Sequence, residues 1–277
     1  MEQLNEGIIY NENSDTFEFD FNSNSEKCIE SLDSCHSKMT IEFSDLPLEQ
    51  IDIDMGITYY FGYQFVNNDN ASSKIRTKFF NSLRFSKDFT TPENKRLFVV
   101  NALKKLHKHI NVYSFDTIVY PKSRSYLNKY ILKLLGNTVP NWEGYTIELF
   151  KRLPSEIEFD WKRWERNMKD SEKYVNEAAW DNAKKAIQLL LDKIHNQEYF
   201  SIAESVRKNK YKPYFSSYLY FEDESKQRIL DTKKILLVDD VTTTGSTLFE
   251  AIKNIRLLNQ DAIIVIFTLV GKKELHE

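Results

Sequence analysis

The stretch "KKILLVDDVTTTGSTLFEAI" (233–252) joins an apolar run, two adjacent carboxylates and a hydroxyl-rich turn. The run before Asp239 predicts a buried strand, and the spacing of apolar residues from Ser246 onwards predicts a helix. Because a carboxylate at the end of an apolar strand is costly to desolvate, a role as turn former explains Asp239 and Asp240 less well than ligand binding. We therefore infer that this strand end carries the function.

A glycine and several hydroxyl groups follow the two carboxylates. Gly245 is the only glycine between residues 145 and 270, and it allows the backbone to approach a ligand closely. The N–H groups at the start of a helix bind phosphate, and the nearby hydroxyls would add donors. Helix capping explains one or two of these residues but not the whole segment. Phosphate-binding donors beside two carboxylates suit a ligand that carries a phosphate next to free sugar hydroxyls.

Length and composition indicate a globular protein. The 277 residues suit one large domain, or one domain with an elaborated second part. No apolar run approaches the roughly 20 residues that span a bilayer. The start, "MEQLNEG", lacks the basic and apolar pattern of a secretory signal. We expect a cytoplasmic protein without a membrane partner.

Charge is distributed unevenly along the chain. Residues 1–54 contain 14 acidic and 2 basic residues, whereas the remainder contains 27 acidic and 36 basic residues. An acidic arm on a mildly basic body indicates that the body handles anions, or that the arm packs against it. The basic residues are too scattered to favour nucleic acid as a partner.

The two cysteines, Cys28 and Cys35, do not predict a metal site. Their spacing, with a histidine after the second, matches no common zinc pattern. We interpret them as reduced thiols and predict no metal held by protein ligands alone.

Strand and helix patterns alternate over most of the chain. The predicted helices are 92–110, a helix that ends at Gly136, a charged helical insertion at about 155–210, and 246–258. The predicted strands are short edge strands within 1–54, a strand pair at 57–66, and strands at 115–120, 145–152, 215–223, 234–239 and 262–270. Apolar strands alternating with helices predict an α/β fold, with a mainly parallel sheet covered by helices on both faces.

The segment "ILLVDDVTTTGST" (235–247) closely resembles the signature of type I phosphoribosyltransferases, which binds phosphoribosyl pyrophosphate. The resemblance implies a Rossmann-like core, and it implies that Asp239 and Asp240 bind the ribose 2′ and 3′ hydroxyls. The residues that would surround the 5′-phosphate are Thr242, Thr243, Thr244, Gly245, Ser246 and Thr247.

An earlier segment, "IVYPKSRS" (118–125), stands where this family has a pyrophosphate-binding loop. By resemblance, pyrophosphate would be bound by Lys122, Ser123, Arg124 and Ser125. The alternative is a basic surface turn. Since ligands of parallel sheets bind beyond the carboxyl ends of the strands, we expect the loops after residues 120 and 240 to open at one edge. The layout is most similar to the ComF-like branch of the family.

The implied activity is transfer of ribose 5-phosphate to a nucleobase-like acceptor, with Mg²⁺ and release of pyrophosphate. Asp239 and Asp240 would be the catalytic residues. The family's hood, which recognises the base, would come from residues 1–110 or 155–210, since only seven residues follow the last strand. We place a domain boundary at residue 110, with the core in 111–277. We expect core positions, rather than base stacking, for Tyr59, Tyr60, Trp161 and Trp164.

Two other functions use the same ribose-phosphate site. One is a sensor of phosphoribosyl pyrophosphate or a nucleotide without turnover, and the other is an effector that acts on nucleotides or NAD. The intact "PKSRS" segment favours an enzyme over a sensor. A receiver domain and a Walker B strand are excluded, because the chain after Asp240 is too short for the first and no P-loop motif accompanies the second. A homodimer is compatible with the sequence.

Overall fold

The computed structural model describes the core of the chain and several shorter segments. These residues are 2–5, 8–11, 13–14, 16–19, 37–39, 57–63, 73–85, 92–123, 126–169, 177–196, 214–241 and 246–271.

Ten strands and seven helices of nine or more residues are found in these ranges. The strands are β1 (Glu2–Asn5), β2 (Ile8–Asn11), β3 (Thr16–Phe19), β4 (Ser37–Met39), β5 (Ile57–Tyr63), β6 (Thr117–Pro121), β7 (Tyr145–Lys151), β8 (Leu219–Tyr220), β9 (Lys234–Val241) and β10 (Ile263–Val270). The helices are α1 (Ser73–Phe85), α2 (Pro92–His109), α3 (Leu127–Thr138), α4 (Trp161–Lys169), α5 (Glu177–His195), α6 (Asp223–Asp231) and α7 (Ser246–Leu258).

The chain divides into two compact units. The first contains residues 1–41, 55–149 and 223–277, and the second contains 42–54 and 150–222. Within the first unit, β5, α1 and α2 precede residue 110, and they belong together with β6, β9 and β10. The predicted boundary at residue 110 stays a prediction.

The main sheet of the first unit has six strands in the order β4-β5-β10-β9-β6-β7. All neighbouring pairs are parallel except β4 with β5. The predicted strands near 115–120, 145–152, 234–239 and 262–270 are therefore confirmed as one mainly parallel sheet. A separate antiparallel sheet contains β1, β2 and β3.

Helices cover the sheet because successive strand residues point to opposite faces. On one face, Leu236, Val238 and Phe267 pack in a single cluster with buried residues of α1, α2 and α3. The strand residues that point to the opposite face are also buried. Buried residues of α6 and α7 do not belong to the first cluster. This mixed α/β architecture confirms the predicted fold class.

The second unit contains the helical insertion. The described helices α4 and α5 confirm its helical character, and β8 pairs with the last two residues of β7. Its core is largely aromatic, with Trp164 fully buried among Phe159, Tyr214 and residues of α5.

Three local predictions are wrong. Residues 57–63 form one strand and not part of a strand pair, because Gly62 lies directly under α2 and makes no turn. Helix α3 continues past Gly136 to Thr138. The predicted strand 215–223 is reduced to β8, since Asp223 and Glu224 open α6, where acidic side chains favour a helix start.

Over the ranges described above, no helix combines the length and the apolar character needed to cross a membrane.

Candidate functional site

Strand β9 brings Asp239 and Asp240 to its carboxyl end. The strand is buried from Ile235 to Val241, and Asp239 and Asp240 are only 7% and 3% exposed. Alternation along the strand sends the two side chains to opposite faces of the sheet. Each carboxylate therefore has a different set of neighbours.

Asp240 is paired with Arg84 from the end of α1. The guanidinium Nε lies 3.0 Å from Asp240 Oδ2, and Nη2 lies 2.8 Å from Oδ1. Burial lowers the pKa of Arg84, but the charge and hydrogen bonds of Asp240, together with the charge of Asp239, raise it overall above its usual value. This bidentate arrangement is the strong form of an arginine–carboxylate pair.

Asp239 accepts hydrogen bonds on one oxygen from neutral donors. Its Oδ1 lies 2.9 Å from the backbone nitrogen of Asp240 and 3.2 Å from Asn128 Nδ2. Burial and the Asp240 charge raise the pKa of Asp239 to about 7, although the two hydrogen bonds and Arg84 favour the ionised form. Near neutral pH, this carboxyl is thus divided between its protonated and ionised states.

The end of β6 lies next to the end of β9. The two strands are parallel, with Val119 opposite Leu237. Asn128, in the first turn of α3, donates both to Pro121 O at 3.0 Å and to Asp239, so it connects the two strand ends. β6 and β9 therefore end at the same edge of the sheet. That the loops after residues 120 and 240 both open there stays a prediction, because residues 242–245 lie outside the described residues.

Two residues of the predicted pyrophosphate loop are described. Lys122 is exposed and Ser123 is half-buried, immediately after β6. The backbone N–H of Lys122 donates to Leu149 O at 2.7 Å, which fixes the start of the loop against β7. Arg124 and Ser125 lie outside the described residues, so the four-residue loop stays a prediction.

The predicted phosphate loop is described only at its end. Residues 242–245 lie outside the described residues, and helix α7 begins at Ser246, as predicted. Thr247 is half-buried in the first turn of α7. The roles predicted for Thr242, Thr243, Thr244, Gly245, Ser246 and Thr247 stay predictions.

Three of the four aromatic residues considered for base stacking are core residues. Tyr59 and Trp164 are fully buried and Tyr60 is 6% exposed, while Trp161 packs partly buried against the aromatic cluster of the second unit. The Tyr59 hydroxyl bonds to Thr268 at 2.9 Å. The preference for core positions over base stacking is confirmed for the three buried rings.

Sequence reasoning missed Arg84 and Asn128. Helix α1 was not predicted, although Ile75, Phe79 and Leu83 recur at helical spacing before Arg84. Asn128 lies just beyond the predicted pyrophosphate loop and matched no motif. Neither residue is adjacent in sequence to the carboxylate that it contacts.

The described part of the chain contains no group of three or more His, Cys, Asp or Glu side chains that could hold a metal ion. Asp239 and Asp240 provide two carboxylates at this edge. Magnesium often binds through one or two carboxylates and substrate phosphates, so this donor set fits a metal that arrives with a phosphorylated ligand.

Comparison with known proteins gives little further information. No protein-family model matches the sequence, and no curated protein matches it. The fold is similar to the crystal structure of adenine phosphoribosyltransferase from Thermoanaerobacter pseudethanolicus, with 15% sequence identity and a TM-score of 0.31. This match covers 65% of the present chain and 82% of that chain. With a TM-score this low, the likeness supports no conclusion about this protein.

Proposed function

We propose that this protein binds phosphoribosyl pyrophosphate and transfers its ribose 5-phosphate to a nucleobase-like acceptor, with release of pyrophosphate. One observation carries the proposal: buried Asp239 and Asp240 lie near the carboxyl end of β9, beside the end of β6, and Asn128 bonds to both strands. The segments that resemble the two ligand-binding loops of type I phosphoribosyltransferases, in particular the ComF-like branch, begin at those strand ends.

Each group at this edge has a proposed binding role. Asp239 Oδ2, to which no hydrogen bond is found among the described residues, would accept a ribose hydroxyl. Backbone and hydroxyl donors of residues 242–247 would bind the 5′-phosphate at the start of α7. Lys122 and Arg124 would bind pyrophosphate, with hydroxyl donors from Ser123 and Ser125.

The reaction is a displacement at ribose C1. A lone pair of the acceptor forms the new bond to C1, the C1–O bond breaks, and its electron pair leaves with pyrophosphate. The sugar becomes cationic in the transition state, as in glycoside cleavage. A buried negative charge at Asp239 would stabilise that cation, and positive charge at Lys122 would stabilise the departing anion.

Mg²⁺ is the proposed cofactor. Asp239 and Asp240 would be the protein carboxylates nearest to it, and the ion would supply positive charge that neutralises the leaving group. The protein groups would orient the ribose and exclude water from C1.

The ionisation of Asp239 predicts how activity depends on pH. Its pKa is raised to about 7 by burial and by Asp240, so a larger fraction becomes ionised as the pH rises through 7. If the ionised form stabilises the cationic sugar, kcat/KM for phosphoribosyl pyrophosphate should rise between pH 6 and pH 8. Initial rates of pyrophosphate release over this range test the prediction, and a rate that falls with rising pH would contradict it.

The main experiment replaces both carboxylates by amides. Asp239→Asn with Asp240→Asn keeps the size of the side chains but removes the negative charge. If the charge stabilises the transition state, kcat should fall roughly 100- to 1,000-fold, as when other electrostatic groups are removed. The measurement is pyrophosphate release with a panel of purines, pyrimidines and nicotinamide-like rings, alongside calorimetric binding of phosphoribosyl pyrophosphate with and without Mg²⁺.

The exposed residue Asp181, on α5, provides a control. Asp181→Asn removes one negative charge from an exposed position and should leave kcat unchanged. Turnover that survives in the double amide variant would exclude the catalytic roles. No binding of phosphoribosyl pyrophosphate at millimolar concentration, with or without Mg²⁺, would exclude the proposed function.

A sensor without turnover is the second candidate, and the Arg84 ion pair favours it. Arg84 bonds to both oxygens of Asp240 and so reduces the negative charge that the site offers a cationic sugar. A sensor would bind phosphoribosyl pyrophosphate but release no pyrophosphate with any acceptor in the panel.

A further inference from the structure

Asn128 uses the two polar atoms of its side chain differently. The residue is 2% exposed, and its Nδ2 donates to Pro121 O and to Asp239 Oδ1. Its Oδ1 is buried and has no donor among the described residues. A buried acceptor left without a donor costs free energy, so it needs an explanation.

The orientation of the amide follows from its neighbours. Pro121 O is a carbonyl oxygen and Asp239 Oδ1 belongs to a carboxylate, so both are acceptors. Only the NH₂ group can donate to them, and a flipped amide would place oxygen against two oxygens. The unpartnered atom is therefore the carbonyl oxygen, which requires a donor.

The groups around Asp239 come from several elements. Asp240 follows it on β9, and Arg84 reaches the pair from α1. On β10, Thr268 lies opposite Asp239 and bonds to the Tyr59 hydroxyl of β5. Asp239 Oδ1 accepts one hydrogen bond from a side chain, that of Asn128, and one from a backbone N–H, that of Asp240.

We propose that Asn128 is a positioning residue of this site. It fixes one oxygen of the Asp239 carboxylate against the end of β6, and it offers its own carbonyl oxygen to a hydroxyl of the bound sugar phosphate. The identity of the ligand rests on the proposed function, but the link between Asn128 and Asp239 does not. Two donors hold Asp239 Oδ1, so the carboxylate cannot rotate freely and Asp239 Oδ2 stays oriented towards the ligand.

Asn128→Leu tests this role, because leucine is similar in volume but neither donates nor accepts. Losing one hydrogen bond to a carboxylate typically changes an equilibrium roughly 10- to 100-fold. We expect kcat/KM for phosphoribosyl pyrophosphate to fall by that factor. The acid limb of the pH–rate profile should also move to higher pH, since the lost bond favoured the ionised carboxylate.

Asn259 provides the matched control. Its Nδ2 donates only to the backbone carbonyls of Ile229, Leu230 and Thr232, and its Oδ1 accepts from two backbone N–H groups. Asn259→Leu should lower stability without moving the acid limb. If Asn128→Leu fails to fold, Asn128→Ser takes its place, because the shorter hydroxyl cannot reach both acceptors.

A second readout does not depend on catalysis. The carboxyl carbon of Asp239 can be followed by carbon-13 NMR during a pH titration of the ligand-free protein. We expect its midpoint to be higher in the Asn128 variant than in the wild type, and unchanged in the Asn259 variant.

The two readouts separate failure of the inference from failure of the proposed function. A titration midpoint that stays the same in the Asn128 variant would overturn the positioning role, whatever the activity. A shifted midpoint in a protein that binds no phosphoribosyl pyrophosphate would support the link to Asp239 and reject the proposed ligand. An unchanged kcat/KM in an active enzyme would overturn the contact with the sugar.

Discussion

Arg84 donates two hydrogen bonds to Asp240, and this ion pair makes the two adjacent carboxylates unequal. Asp240 is neutralised by a cation, whereas Asp239 is held by amide donors. The side chain of Asp240 is 4% exposed and that of Arg84 is 33% exposed, so removing the arginine leaves a charge that water reaches poorly. At the scale of single residues, we expect this pair to stabilise the folded chain.

Arg84→Met keeps the length of the side chain and removes its charge. We predict a loss of roughly 1–3 kcal/mol in the free energy of unfolding, below the 3–5 kcal/mol typical of fully buried pairs, because Arg84 is partly screened by solvent. Urea denaturation at pH 8 measures the change. Arg96→Met is the control, since Arg96 and its partner Glu93 are exposed, and it should change stability by less than about 0.5 kcal/mol. Equal losses in the two variants would contradict the prediction.

The sequence predicted the carboxylates but not their partners. Asp239 and Asp240 stand in a motif whose residues are consecutive, so local pattern was sufficient to identify them. Arg84 is separated from Asp240 by 156 positions, and no local pattern connects them. Only the packing of α1 on the face that carries Asp240 brings the two together.

At the scale of elements, the close approach of α2 to β5 determines the packing next to the site. A Cβ atom at Gly62 would lie 2.5 Å from Ala102 Cβ in α2 and 2.9 Å from Leu269 O in β10. Both neighbours are held in regular structure. Helix and sheet can keep this separation only if residue 62 has no side chain.

Gly62→Ala should therefore destabilise the protein, by about 1–3 kcal/mol, as overpacking of a core typically does. Gly136→Ala in α3 is the matched control, because its Cβ would meet no atom within 4 Å. Alanine is the better helix former, so this control should gain roughly 0.5–1 kcal/mol. Thermal and urea unfolding of both variants measure the change in the free energy of unfolding, which should be negative for Gly62→Ala and positive for Gly136→Ala. A gain in stability for Gly62→Ala would show that the contact is looser than described.

The strands of the sheet were easier to predict than its order. Apolar runs located β6, β9 and β10, because strands buried on both faces are continuously apolar. The place of β5 beside β10 was not predicted, since strand order depends on pairing between distant segments. Helix α6 was missed because its nine residues are mostly polar.

At the scale of the whole molecule, burial of Asp239 makes stability depend on pH. Its pKa is about 7 in the folded state and 3.8 in the reference state, because of burial and then the Asp240 charge. The folded protein therefore binds more protons at this site between about pH 4 and pH 7. The contribution of Asp239 to stability is largest at acid pH and is lost as the pH rises through 7.

Asp239→Asn should remove this dependence. We predict that the free energy of unfolding of the variant minus that of the wild type increases by a few kcal/mol from pH 5 to pH 8. The reason is that each unit of pKa shift corresponds to about 1.4 kcal/mol. Urea denaturation at both pH values measures the difference, with Asp181→Asn as the exposed control. A gap between variant and wild type that narrows as the pH rises would contradict the prediction.

The strand order also determines when the protein can fold during synthesis. Thr58 of β5 pairs with Val265 of β10, and Val119 of β6 pairs with Leu237 of β9. Each of these strands can pair early on one side, β5 with β4 and β6 with β7, but its other edge stays open until β10 or β9 has been made. Long-range pairing of this kind slows folding and exposes strand edges to other chains. A nascent chain stalled before β9 would hold neither the centre of the sheet nor Asp239 and Asp240, and we expect it to need a chaperone.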